Sequence, residues 1–406
     1  MIAAPAGSAF EQAKQLFLDG LKAFNAQRYE EAEFHFRSSL ALLPGRVSTL
    51  INLAATLIKR VKPQEALEAA DQVLAVEPDN AEAWFHKANA LSQLGQHQEA
   101  LAGFEKVLAA GTLPAAEPWF CHGQTLQALD QPQQALVSYQ RALAANPKMA
   151  QAWSNRGGIL REMQRNEEAA EAFRQALAHG ADADLHRFYL ASVSAQPLPP
   201  TAPANYVETL FDDYADDFDA HLVDVLGYRA HNTLVGHLAA IRGGPYRSTL
   251  DLGCGTGLCA PLLKPMTQRL VGVDLSSLML EKARALNLYD ELVHADIVAH
   301  LLQTQERHDL VASADVFIYV GDLDPVFAAL ERAMEPGGIF CFSAESASSE
   351  RPDFELLPSL RYAHSERYLR TLAERRGFDV LHLVRSPIRE DQRTSIPGMY
   401  VYLKRR

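Results

Sequence analysis

Three glycines alternate with other residues directly after an apolar run and an aspartate, in the stretch Asp251-Leu252-Gly253-Cys254-Gly255-Thr256-Gly257. Alternate glycines permit positive φ and let a bulky ligand lie against bare backbone. The helix expected after this stretch adds unpaired N–H groups and the positive end of a dipole. A dinucleotide site would have the spacing G-x-G-x-x-G. The spacing G-x-G-x-G after an acid suits instead a ligand with a ribose and an amino-acid tail, unless the stretch is only a structural turn.

Two further aspartates come at the ends of the next two predicted strands. Asp274 closes the second strand and Asp296 follows the third. Ligands of open α/β sheets bind beyond the carboxyl ends of the strands, so both carboxylates are expected beside the glycine stretch. The glycine stretch and the two aspartates, in this order, resemble class I S-adenosylmethionine-dependent methyltransferases. The resemblance covers about residues 206–406 and implies S-adenosyl-L-methionine as the cofactor, with Cys254 and Gly257 included in its site.

The resemblance gives the residues after the second strand a role. The Asp274 carboxylate would accept both ribose hydroxyls of the cofactor. It could instead cap the following helix, but Ser276 can do this equally well. Leu275 and Met279 would flank the adenine. Both could also be ordinary core residues, and we favour the core for Met279.

The next two strand ends complete the implied cofactor site. Asp296 would accept the adenine amine while the Ile297 backbone reads the ring edge, and Asp296 could cap the next helix as well. Ala314 and Asp315 end the fourth strand, where the amino-acid tail and the transferred methyl would lie. A structural role for Asp315 is an equal alternative.

An aromatic segment before the first strand is typical of an amphipathic helix. Phe211, Tyr214 and Phe218 recur at helical spacing with aspartates between them. The resemblance implies a lid over the cofactor, with Tyr214 near the methionine moiety and Tyr228 contributing similarly. A helix simply packed on the sheet is the alternative.

Methyl transfer requires chiefly the alignment of the acceptor with an already activated methyl group. A base matters only for a hydroxyl or a protonated amine, and a carboxylate needs none. His364 is the first candidate base and Tyr319 the second, although an isolated histidine more often only hydrogen-bonds a loop. No Asn/Asp-Pro-Pro-Tyr set follows the fourth strand, which disfavours an amide nitrogen or an exocyclic nucleobase nitrogen as the methyl acceptor. Oxygen acceptors are therefore slightly preferred.

The elements that must hold these residues alternate short apolar strands with helices. This pattern predicts a Rossmann-like, mostly parallel sheet covered on both faces. The seven predicted strands are residues 248–252, 270–274, 291–294, 310–314, 338–342, 380–384 and 399–403.

The first half of the chain is a repeat. Its three tryptophans, Trp84, Trp119 and Trp153, lie 35 and 34 residues apart. Small residues, an aromatic and a proline recur at the offsets that tetratricopeptide repeats use, which indicates an all-α solenoid of about five helical hairpins. Its groove could bind a peptide or protein, or the array could serve only as a scaffold or for homodimerisation. Candidate groove residues are Phe85, Asn89, Phe120, Gln124, Gln127 and Arg161.

Composition disfavours several classes of protein. The net charge of −12 over 406 residues disfavours binding to nucleic acid. The sequence has no basic-then-apolar leader and no apolar run of membrane-spanning length. Its four cysteines form no C-x-x-C pair and no metal-binding spacing. We therefore expect a cytoplasmic protein with free thiols, no resident metal and no membrane contact.

Four prolines in residues 196–203 predict a semi-rigid linker. We expect a repeat domain over 8–195 with a capping helix at 184–193, a linker over 196–204, and the methyltransferase domain over 205–406. The order also resembles a group of bacterial tetratricopeptide-repeat methyltransferases. It implies methyl transfer to a peptide, protein or small molecule recognised with help of the repeats. The alternatives are a small-molecule enzyme whose repeats only dimerise or bind a partner, and a repeat scaffold with an inactive cofactor domain.

Overall fold

The computed structural model describes residues 6–214, 227–347, 353–391 and 394–406. Contacts divide the chain into two compact units, Met1–Ala181 and Asp182–Arg406. This division falls earlier than the predicted end of the repeat domain at residue 195.

The described part of the first unit contains five helical hairpins, as the tryptophan spacing predicts. Consecutive helices pack in pairs, and each pair packs on the next. Proline occupies the first turn of two second helices, where its missing N–H costs nothing. The helices are α1 Ala6–Asn25, α2 Tyr29–Leu42, α3 Val47–Lys59, α4 Pro63–Leu74, α5 Ala81–Gln93, α6 His97–Ala110, α7 Ala116–Ala128, α8 Pro132–Ala145, α9 Ala150–Glu162 and α10 Asn166–Ala178.

Within three of these hairpins an aromatic ring lies directly against a glycine of the partner helix. A Cβ at Gly157 would lie 2.5 Å from the Phe173 ring, and one at Gly123 would lie 2.8 Å from the Tyr139 ring. Both rings are fully buried. The repeat spacing of small and aromatic residues is therefore a packing requirement between the helices of each hairpin.

The second unit is built on a twisted sheet that contains all seven predicted strands. Their order is β3-β2-β1-β4-β5-β11-β8, with β1 to β5 parallel and β11 antiparallel to both of its neighbours, β5 and β8. A short pair, β6 and β7, extends the end of β5, and β9 pairs with β10 in a separate hairpin. The strands are β1 Tyr246–Leu252, β2 Thr267–Asp274, β3 Glu291–His294, β4 His308–Ser313, β5 Met334–Ser346, β6 Phe354–Leu356, β7 Tyr362–His364, β8 Phe378–Arg385, β9 Arg389–Asp391, β10 Thr394–Ile396 and β11 Gly398–Arg405.

Helices cover both faces of this sheet. Alternate residues of β5 separate into two apolar clusters, with Phe340 and Phe342 in one and Ile339 and Cys341 in the other. This explains why the strands are continuously apolar, because neither face meets water. The helices are α11 Ala183–Val193, α12 Ala204–Tyr214, α13 Ala230–Ile241, α14 Ala260–Leu263, α15 Ser277–Ala285, α16 Ile297–Gln303, α17 Asp324–Ala333 and α18 Glu366–Arg375.

The helix expected to cap the repeats and the proline-rich segment both pack within the second unit. Phe188 of α11 is fully buried in a cluster with Ala202 and Tyr362. The Pro200 carbonyl accepts the backbone N–H groups of Gly321 and Asp322, at 2.9 and 2.8 Å. Prolines in the sequence signal a stiff, extended chain, but they do not reveal which backbone groups that chain pairs with.

Candidate cofactor and acceptor site

A cavity of about 560 Å³ lies at the carboxyl ends of the central strands. Side chains or backbone from the ends of β1, β2 and β4 meet there, together with residues from the segments before β1 and after β8. The structure brings most of the predicted site residues together in its wall: Tyr228, Asp251, Gly253, Cys254, Gly255, Asp274, Leu275, Asp296, Ile297, Ala314 and Tyr319.

The glycine stretch forms the turn between β1 and the next helix. Gly253 and Gly255 have φ of +68° and +53°, which a residue with a Cβ adopts only with strain. A Cβ at Gly253 would lie 2.3 Å from Val316 Cγ2, whereas one at Gly255 would meet no atom within 4 Å. The backbone at Gly255 is thus open toward the cavity and accessible to a ligand.

Asp274 connects the glycine turn to the end of β2. Its Oδ2 accepts the Gly255 N–H at 2.8 Å and its Oδ1 accepts the Ser276 N–H at 2.9 Å. Burial raises the pKa of this carboxyl, while the backbone N–H groups oppose that rise. Ser276 caps α15 by accepting the Met279 N–H at 3.1 Å. As the sequence suggests, Asp274 is not needed as the cap.

Asp296 has both of its predicted positions at once. It caps α16, where its Oδ1 accepts the Ala299 N–H at 2.9 Å, and it lines the cavity beside Ile297. Leu275 lines the cavity as well, while Met279 is fully buried and lies outside the cavity wall. Met279 is therefore a core residue, the alternative that we favoured from the sequence.

Asp251 is a buried carboxylate in the cavity wall. It is 1% exposed, and its Oδ2 accepts a hydrogen bond from the Tyr289 hydroxyl at 2.7 Å. Burial raises the pKa of Asp251 to about 7, the Tyr289 hydrogen bond acts to lower it, and the nearby charge of Asp274 raises it. Gly257, in contrast, does not line the cavity, and a Cβ at this position would lie 2.7 Å from Leu286 Cδ1 and 3.1 Å from Tyr289 Cε2. Gly257 therefore packs the turn in this structure, and its contact with the cofactor stays a prediction.

Asp315 has a partner that the sequence did not reveal. Its carboxylate accepts two hydrogen bonds from Arg389 Nη1, at 3.0 and 2.9 Å, and the Arg389 Nη2 bonds Glu345. Arg389 is 3% exposed. Burial acts to lower the pKa of Arg389, but the two carboxylates raise it more, so the net direction is upward. Asp315 is thus held in a buried ion triad at the edge of the cavity.

The two predicted bases have different outcomes. His364 is fully buried, does not line the cavity, and its Nε2 donates to the backbone carbonyls of Val320 and Gly321 at 3.0 Å. Burial lowers the pKa of His364 to about 4. We therefore correct its assignment from base to structural residue. Tyr319 does line the cavity, but burial raises its pKa, so it stays protonated at neutral pH.

Sequence reasoning missed several polar residues of the cavity wall, among them His231 and Arg361. The His231 ring stacks on Tyr228 with 5.4 Å between centroids and 25° between planes. Tyr228 is buried, and burial raises its pKa. A histidine three residues after a tyrosine and an arginine in a loop carry no spacing signal, so only the fold places them at the site.

Helix α12 supplies part of the cavity wall through Val207, Leu210 and Phe211. It is tied to the cofactor side of the sheet by a hydrogen bond of 2.6 Å from Ser276 Oγ to Asp212 Oδ1. Tyr214 is the last residue of this helix, and its side chain lies outside the described residues, as does the rest of the predicted lid through residue 226.

The predicted groove residues of the repeats are polar and aromatic side chains, four of them partly buried and two exposed. Phe85 and Phe120 are half-buried, while Gln124 and Gln127 are exposed. Asn89 Nδ2 donates to the Phe85 carbonyl at 2.9 Å, and Gln127 accepts from the Tyr139 hydroxyl at 3.1 Å.

Among the described residues, none of the helices combines the length and the apolar character that a membrane span requires. The same residues contain no cluster of side chains that could hold a metal ion.

Comparison with known proteins matches both halves of the chain. Residues 250–342 match a family model described as a methyltransferase domain, and residues 52–115 and 122–186 match a tetratricopeptide repeat model. Methyltransferase-like protein 27 of Homo sapiens is 35% identical over 147 residues, 34% of this chain and 58% of that protein. Malonyl-[acyl-carrier protein] O-methyltransferase of Salmonella typhimurium is 30% identical over 141 residues, 34% of this chain and 53% of that protein.

Among solved structures, the N-methyltransferase NodS from Bradyrhizobium japonicum WM9, in complex with S-adenosyl-L-homocysteine, has a TM-score of 0.41 and 17% identity, covering 49% of this chain and 97% of that chain. The chain spans little more than half the length of the two curated relatives. It matches tetratricopeptide repeats followed by a methyltransferase domain.

Proposed function

We propose that the protein is an enzyme that transfers a methyl group from S-adenosylmethionine to an acceptor bound in the same cavity. The observation that carries the proposal is the meeting of Asp274, Asp296 and the open Gly255 backbone in one cavity at the strand ends. When bound, the cofactor supplies a methyl group that its sulfonium already activates. The protein then has to bind both reactants, orient them and exclude water.

The residues present fit this cofactor. Asp274 offers carboxylate oxygens to the ribose hydroxyls, and Asp296 with the Ile297 backbone suits the adenine edge. When ionised, Asp251 and Asp274 give this half of the cavity negative charge, which complements the cationic sulfonium and ammonium of the cofactor. Cys254 and Leu275 contribute apolar surface to the same wall.

We favour a carboxylate as the acceptor group. His364 lies outside the cavity and Tyr319 stays protonated, so neither predicted base serves the reaction. A carboxylate needs no base, and the charge of Arg361, which acts on both Tyr319 and Glu345, attracts an anion to this wall. One relative is named an O-methyltransferase of malonyl-[acyl-carrier protein], which is consistent with an oxygen acceptor.

We assign the repeats to recognition of the peptide, protein or small molecule that carries the acceptor. Exposed amides such as Gln124 and half-buried rings such as Phe85 and Phe120 can bind an extended backbone. An array that only forms a homodimer or binds a separate partner is the alternative. The two differ in whether acceptor turnover needs the repeats.

Calorimetry with S-adenosyl-L-homocysteine tests the proposed function. Asp274→Asn should weaken binding by about ten- to a hundredfold, since an amide offers the ribose one acceptor instead of two charged ones. Asp309→Asn is the matched control. Asp309 also accepts two backbone N–H groups, from Arg247 and Ser248 at 2.9 Å, but lies at the opposite end of the strands. Failure of the folded wild-type protein to bind would exclude the enzyme and leave the scaffold alternative.

A further inference from the structure

The Tyr289 ring occupies the space beside two glycines, Gly257 of the glycine stretch and Gly272 of β2. It lies in the loop between α15 and β3. A Cβ at Gly257 would lie 3.1 Å from Tyr289 Cε2, and one at Gly272 would lie 2.8 Å from Tyr289 Cε1. The ring is therefore fixed between the glycine turn and β2, because no side chain at either position competes for that volume.

The hydroxyl of this ring holds a carboxylate of the cavity wall. Tyr289 donates to Asp251 Oδ2 at 2.7 Å. Asp251 lines the cavity, whereas Tyr289 does not. Asp251 thus accepts a hydrogen bond from a group that lies outside the cavity wall.

We propose that Tyr289 is a positioning residue, whose hydroxyl keeps the Asp251 carboxylate oriented and ionised to accept the ammonium of the cofactor's amino-acid tail. The inference rests on the proposed function, because it requires a ligand with that ammonium. The Tyr289 ring also accounts for the glycines at 257 and 272, neither of which lines the cavity.

The charges around Asp251 make its ionisation depend on this hydrogen bond. Burial raises the pKa of Asp251 to about 7, the Tyr289 hydrogen bond opposes the rise, and the charge of Asp274 adds to it. Among the residues that the structure describes, the thiols of Cys254, Cys259 and Cys341 also interact electrostatically with Asp251. Burial raises their pKa values, so they stay neutral. Loss of the hydroxyl should raise the pKa of Asp251 and leave more of it protonated near neutral pH.

Affinity for an ammonium ligand should therefore rise with pH through the pKa of Asp251, and removal of the hydroxyl should move that rise to higher pH. Calorimetry with S-adenosyl-L-homocysteine on full-length Tyr289→Phe, from pH 6 to 8.5, measures this. We expect binding about five- to tenfold weaker than wild type at pH 6.5 and within about twofold at pH 8.5, as one unit of pKa is tenfold in proton affinity. Asp251→Asn should be weak at every pH and insensitive to a second Tyr289→Phe change.

Tyr246→Phe is the matched control. Its buried phenol donates to the Arg242 carbonyl at 2.8 Å and does not line the cavity, so the wild-type pH profile should be retained. A Tyr289→Phe profile equal to wild type, or an equal loss at every pH, would overturn the inference in favour of simple packing. Absence of binding by the folded wild-type protein at every pH would instead refute the proposed function.

Discussion

Arg389 pairs with a buried carboxylate, Glu345, and a partly buried one, Asp315, at the edge of the cavity. Burial already raises the pKa of Glu345, and the charge of Arg389 acts to lower it. An Arg389→Met variant keeps an unbranched apolar stem but leaves Asp315 and Glu345 facing each other. Breaking such a buried network typically costs about 3–5 kcal/mol, and we expect a loss of unfolding free energy of this size at pH 7.5.

The loss in Arg389→Met should shrink at lower pH. Without the guanidinium the pKa of Glu345 rises further above its unfolded value, so the native state binds more protons than the unfolded state and its stability falls as pH rises. Urea unfolding at pH 5 and pH 7.5 measures the difference. Arg247→Met, which removes an exposed ion pair to Glu335, should cost less than about 1 kcal/mol. An equal loss from Arg389→Met at both pH values would exclude charge as the cause.

Residues at strand ends were predictable where the strand itself was. Asp274 and Asp296 follow apolar runs, and the parallel topology requires that such positions share an edge. Asp315 follows a strand as well, but its partner Arg389 comes 74 positions later, in a short hairpin without a periodic pattern. Tyr289 and His231 also carry no sequence signal, because only the fold places them at or beside the cavity.

At the scale of elements, the hairpins of the repeat unit depend on glycines that face a ring. Helix α9 offers a direct test, since its two adjacent glycines differ in surroundings. A Cβ at Gly157 would lie 2.5 Å from Phe173, while one at Gly158 would meet no atom within 4 Å. Gly157→Ala should therefore destabilise the protein by about 1–3 kcal/mol. Gly158→Ala should be neutral or stabilise it by up to about 1 kcal/mol through helix propensity.

Thermal unfolding followed by circular dichroism compares the two alanine variants. Both substitutions add one methyl group to the same helix, so propensity and composition are matched. If both variants melted together, packing of the hairpin would not be what selects glycine at 157.

The strands and repeats were predictable because each has a period that the local sequence records. The proline-rich segment lacks a period, and its pairing with residues 319–322 appears only in the fold.

At the scale of the molecule, the start of the second unit determines which fragment of the chain is stable. The contact division begins the second unit at Asp182, so α11 belongs to it. The buried ring of Phe188 in that helix packs in a cluster with Leu360 and Tyr362. A fragment of residues 182–406 keeps this cluster, whereas one of residues 196–406, the boundary nearer to the proline signal, exposes it.

We expect the 196–406 fragment to melt about 10 °C below the 182–406 fragment. Loss of a buried phenylalanine costs about 3–5 kcal/mol, and each kcal/mol shifts the Tm of a domain of this size by about 2–4 °C. Phe188→Ala in the full-length chain is the matched control, since it removes the same ring without changing chain length, and it should lower the transition of the second unit comparably. Equal melting of the two fragments would mean that α11 contributes nothing to this domain and would favour its predicted role as a cap of the repeats.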